Sequence, residues 1–134
     1  MVPPVQAEEL ARLCARLEGE RAKYVDLFDN APDAYVVTTA HGILSEANIA
    51  AGRLFGVTAR ALVGKALIGF VARQDTRQFR ALVRELEGSA ERGDVRTLTI
   101  RMRPRGEPVF VASLRVVAAR GLRGQPTAFR WTIR

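Results

Sequence analysis

Reactive chemistry has little to work with in this chain. There is one histidine, His41, and one cysteine, Cys14, among 134 residues. Nucleophilic catalysis needs a hydroxyl or thiol beside an imidazole that an acid orients. His41 lies in "AHG", a break between two apolar runs, which predicts a surface turn with no such partners. Cys14 lies on a helical stretch flanked by apolar seam positions rather than in a set of reactive partners, so it reads as a plain helix residue. Glu85 and Glu87 are two apart and fall on different faces of a helix, so they make no acid–base pair. The glycines stand singly at turns and build no phosphate-cradling loop. Catalysis is not expected, and no metal site is expected either.

Charge offers a second chemistry. The net charge is +7, and residues 91–134 account for it with ten arginines against three acids. That block alternates like strands, so its arginines are expected on a solvated sheet face. A nucleic-acid contact through Arg101 and Arg103 is a weaker reading. No helix-turn-helix, no zinc-ligand spacing and no exposed aromatic platform accompanies it. Hydrophobic residues are 48% and charged residues 26% of the chain, an ordinary globular balance for one domain. No apolar run approaches the ~20 residues that span a bilayer, and Glu8 and Glu9 stand where a signal peptide would be basic. A lone cysteine fits a reducing compartment, so a cytoplasmic protein without a membrane contact is expected.

The elements that must position these groups read as follows. Residues 1–29 are expected to carry one amphipathic helix, from Gln6 to Asp29, followed by a domain over 30–134. On the helix Leu10, Leu17 and Tyr24 are seven apart, and Leu13 and Leu27 occupy the intervening position. This is the a/d seam of a coiled coil, with Glu20 as its one polar member. A second copy of the helix or the chain's own sheet must cover it. "YVVTT" and "ILSE" are two strands of a hairpin, and Asn48 stands where the N-cap of a helix over 49–55 belongs. Short helices over "ARALV" and "ALIGFV" follow, then a longer one from Gln74 to Glu87 whose apolar face is Phe79, Leu82, Val83 and Leu86. The last third has period two. Leu98, Ile100 and Met102 share one face, as do Phe110, Ala112, Leu114 and Val116, and then Thr127, Phe129, Trp131 and Ile133. The fourth strand also carries Val109, Val111 and Val117 on its other face, so part of the sheet's second side needs cover, and the leading helix is the candidate. Two strands, helices and three strands close most simply as an α+β fold: one five-stranded antiparallel sheet with short helices on one face and a flanking helix before it.

The stretch "LFDNAPDAYVVTTAHGILSEANIAAGRLFGVTARALVGKALIGFV", Leu27 to Val71, together with the terminal "FRWTIR", resembles a PAS domain. The asparagine that precedes the first core helix in that family matches Asn48. Thr39 stands where the family often has aspartate. The likeness covers about residues 24–134, and the helix before it matches the flanking helix that often precedes such domains. It implies a bacterial signal-transduction module that senses, forms a homodimer and relays to a covalently linked output domain, as in two-component systems.

The family's cofactors can be tested on the residues present. Haem-binding members ligate iron through a histidine on or near the long helix, and "QDTRQFRALVRELE" has none. Photoreceptor members of the LOV type need a cysteine on the short helices, and "VGKALIGFVARQD" has none. No cofactor is therefore expected. What remains is an apolar space between sheet and helices, where Phe55, Phe70, Phe79, Leu82, Met102 and Leu114 either fill the core or line a pocket for a noncovalent flavin or lipid-like ligand. Dimer contacts are expected through Leu10, Leu13, Leu17 and Tyr24. Trp131 on the last strand is expected to pack under the leading helix and couple sheet strain to helix position.

Overall fold

The computed structural model describes residues 4–88, 95–120 and 126–134. Helix α1 spans Pro4–Asp29. Strands β1 (Ala34–Thr39) and β2 (Leu44–Ala47) form the hairpin. Helices α2 (Ile49–Phe55) and α3 (Ala59–Leu62) follow, then 3-10 turns over Leu67–Phe70 and Arg73–Asp75. Helix α4 is Thr76–Gly88, and strands β3 (Val95–Met102), β4 (Phe110–Arg120) and β5 (Pro126–Ile133) complete the chain. The turn expected at "RGLRGQ" lies almost wholly outside the described residues.

All strand pairs are antiparallel and the order is β2-β1-β5-β4-β3. The first and last strands in sequence thus lie side by side in the middle, with Ala34 opposite Ile133 and Val36 opposite Trp131. The alternation expected for β3, β4 and β5 holds. Ile100, Met102, Ala112, Leu114, Val116, Phe129, Trp131 and Ile133 are buried on the inner face, under Ala51, Phe55, Leu62, Leu67, Phe70, Phe79, Leu82 and Leu86 of the helical layer.

Seven residues make a helix that is marginal alone, and α2 stands because both its ends are closed. Asn48 Oδ1 accepts from the Ala51 amide, and Gly56 ends the helix in the left-handed region at φ +75° while its amide bonds Gly52 O. A side chain at Gly56 is also excluded in space, because its Cβ would collide with the Arg105 carbonyl. Gly52 is needed for closeness alone: a Cβ there would sit 2.7 Å from Val57 O and 2.8 Å from Ala59 N. The chain therefore turns straight from α2 into α3.

Three expectations change. Helix α1 already includes Pro4 and Val5, ahead of the expected start at Gln6, since proline is tolerated in a first helical turn where its missing N–H leaves nothing unpaired. The expected Gln74–Glu87 helix is divided: a 3-10 turn holds Arg73–Asp75 and α4 begins at Thr76, whose hydroxyl donates to Arg73 O at 2.9 Å. Asp75 is drawn towards β3, where its Oδ2 accepts from the Arg101 amide at 2.7 Å. The third concerns the outer face of the sheet. Residues 4–27 of α1 are exposed throughout, and Val111 on β4 is 68% exposed. Only the last turns of α1 reach the sheet, where Tyr24 and Phe28, stacked at 5.8 Å, stand over Tyr35, Val37 and Arg130 beside a cleft of about 410 Å³. α1 thus covers part of that face and leaves the rest open, and its seam, for which either a second copy or the sheet was the expected cover, stays exposed.

Candidate functional site

Asn48 is fully buried and does more than close α2. The same Oδ1 that accepts from Ala51 accepts from the Tyr35 amide at 3.0 Å, and Nδ2 donates to Asp33 O at 2.9 Å. One side chain thereby fixes α2 to the segment joining α1 to β1. Arg134 holds the same segment from the other side, with Nη2 and Nε donating to Asp33 Oδ2 at 3.0 and 3.2 Å.

Phe55, Phe70, Phe79, Leu82, Met102 and Leu114 are all within the core, none more than 9% exposed. Phe55 and Phe70 meet at 4.8 Å between ring centroids. Phe79 stacks on Trp131 at 5.3 Å and 20°. These six side chains pack against one another and against the sheet.

Trp131 sits elsewhere than expected. It is 1% exposed, with its indole on the inner face beneath α4, while the same residue lines the cleft that Tyr24 and Phe28 of α1 border on the other side. The cause is its phase on β5, which it shares with Phe129 and Ile133. Its Nε1 donates to the buried Thr38 hydroxyl at 3.0 Å, so the indole joins α4 to β1 through one ring and one hydrogen bond. Buried indoles need such a partner.

The seam residues are together and open. Leu10 is 63%, Leu13 55%, Leu17 59% and Tyr24 51% exposed, and Leu27, Val5 and Val25 are exposed beside them. Cys14 is free and exposed on the same helix.

His41 is exposed in the hairpin turn, as its sequence context predicts, yet it borders a cleft of about 320 Å³ that faces α4. Ala66, Ile68, Phe79 and Val83 give this cleft an apolar side, and Arg80, Arg84 and Glu87 give it a charged one. Neither arginine was singled out from the sequence, although two arginines four apart on the flank of an amphipathic helix stand there in plain order. Among the described residues no group of three or more His, Cys, Asp or Glu could hold a metal ion. In the arginine-rich C-terminal third, Arg96 pairs with Glu85, Arg101 with Asp75 and Arg134 with Asp33, so part of its charge is met inside the fold.

The family model for the PAS fold matches residues 22–134. The chain belongs to the PAS family. Solved structures agree in architecture. The PAS domain of an HTR-like protein from Haloarcula marismortui has a TM-score of 0.75 at 20% identity, covering 92% of this chain and 98% of its own. A PAS domain from Colwellia psychrerythraea gives 0.73 at 22%, covering 88% and 95%. A PAS domain from a two-component sensor histidine kinase gives 0.68 at 16%, covering 90% and 97%. At such identities the likeness concerns the fold. No curated protein sequence matches the chain. PAS domains are sensory signalling modules, and they commonly dimerise and connect to output domains; no helix among the described residues of this one is long and apolar enough to cross a membrane.

Proposed function

We propose that this PAS domain is a cytoplasmic, noncatalytic sensor module of a two-component or related pathway that dimerises through α1 and passes its signal to a linked output domain. The observation that carries the reading is the open seam. A helix of 26 residues with no buried position keeps a row of leucines in water, which folding within one chain does not account for. Two copies set in parallel or antiparallel would place Leu10, Leu13, Leu17 and Tyr24 as knobs against one another. Gly19 lies off this row with open space around it, so it does not obstruct a partner. Relay inward runs through the segment between α1 and β1, which Asn48 and Arg134 hold, and through Trp131, which ties β1 to α4. The solved relative from a sensor histidine kinase is consistent with such a use.

The test is the mass in solution, by light scattering, of the full chain and of a chain lacking residues 1–23. A dimer that becomes a monomer on truncation is the expected result. An unchanged mass removes the seam from the account.

A further inference from the structure

The cleft between the hairpin turn and α4 shares no residue with the α1 seam, and its make-up calls for a ligand of a particular kind. Its apolar side is Phe79, which is buried, with Ile68 and Val83 half-buried beside it. Its charged side holds Arg80 and Arg84, one helical turn apart and both exposed. Among the described residues neither guanidinium has an ion-pair or hydrogen-bond partner. Two like charges at this spacing repel each other along a helix, and an anion seated between them relieves that repulsion through charge-assisted hydrogen bonds. Glu87 at the same rim opposes a second negative charge, which argues against a dianion or a polyanion. The volume of about 320 Å³ corresponds to about ten water molecules at ~30 Å³ each, near the lower end for small-molecule sites.

We propose that this cleft binds a small amphipathic monocarboxylate of about ten non-hydrogen atoms, with its tail on Ile68, Phe79 and Val83 and its carboxylate between Arg80 and Arg84. The seat is one ring away from Trp131, since Phe79 stacks directly on the indole. The site thus adds a ligand class to the sensor reading without depending on dimerisation.

Trp131 is the sole tryptophan, so its emission reports the site directly. The probes are octanoate and its neutral counterpart octan-1-ol, titrated against the full chain. Octanoate is expected to give a saturable change in emission, with octan-1-ol weaker by about tenfold, the difference a charge-assisted hydrogen bond makes. The double variant R80A/R84A, which changes two exposed side chains and is checked by its thermal midpoint, should weaken octanoate by about tenfold and leave octan-1-ol unchanged. E87Q should act in the opposite direction and tighten octanoate about two- to threefold by removing a repelling charge. Equal binding of octanoate and octan-1-ol, full octanoate affinity in R80A/R84A, or no saturable change at all would each overturn the proposal.

Discussion

Replacing Asn48 by alanine tests the account of the α1–β1 junction most severely. The side chain makes three hydrogen bonds, to the amides of Ala51 and Tyr35 and the carbonyl of Asp33, at 3.0, 3.0 and 2.9 Å. Loss of an N-cap alone costs ~1 kcal/mol. The Tyr35 amide and the Asp33 carbonyl lie in partly buried surroundings, so each group left unpaired belongs at the lower end of the usual penalty, ~1 kcal/mol. The whole effect should be about 3 kcal/mol, a large fraction of the ~5–15 kcal/mol that holds a domain together. With a denaturant slope of about 2 kcal/mol/M, the urea midpoint followed by Trp131 emission should fall by about 1.5 M. A loss in N48A of no more than ~1 kcal/mol, the worth of a cap by itself, would refute the claim that Asn48 secures the junction.

Other predictions rest on separate contacts. In a double-mutant cycle of T38V and W131F, followed by circular dichroism because the fluorophore is lost, the coupling should be about 1 kcal/mol for the buried indole–hydroxyl bond; a coupling near zero would mean the bond contributes nothing. D75A should cost about 2 kcal/mol, because it frees the Arg101 amide from a charged acceptor. R101A should cost under ~0.5 kcal/mol, since its guanidinium is half exposed and 3.9 Å from the carboxylate. The reverse order would place the energy in the ion pair. Replacing Glu20, the polar member of the seam, by leucine should tighten the dimer by at least about tenfold in sedimentation equilibrium, and an unchanged dissociation constant would show that α1 does not form the interface.

Much of this fold was legible because its signals are local. Period two on β3, β4 and β5 set which residues share a face, and Asn48 marked the start of α2 by residue type alone. Misreadings arose where a distant partner decides. Asp75 looked like the first turn of a long helix until the Arg101 amide, 26 residues away, claimed its carboxylate. Trp131 was grouped correctly with Phe129 and Ile133 but placed under the helix expected over the outer face, because alternation says which residues share a side and not which helix lies over that side. The valines on the outer face of β4 suggested a covering helix, whereas exposed valine is tolerable on a strand whose inner face supplies the burial. The cleft beside α4 was invisible because it joins His41 to Arg80 and Arg84 across the fold, and each of them alone reads as solvated surface.

The pairing of Ala34 with Ile133 has a mechanical meaning. Tension applied between the leading helix and Arg134 enters the two central strands at the same end, so it opens their rungs one after another like a zipper. Strands pulled from opposite ends would resist in shear, with all rungs loaded together. After the Arg134–Asp33 clasp lets go, each further rung yields alone, and the β1–β2 hairpin peels from the other three strands. A force probe attached at these two points should find a soft domain, however high its melting temperature.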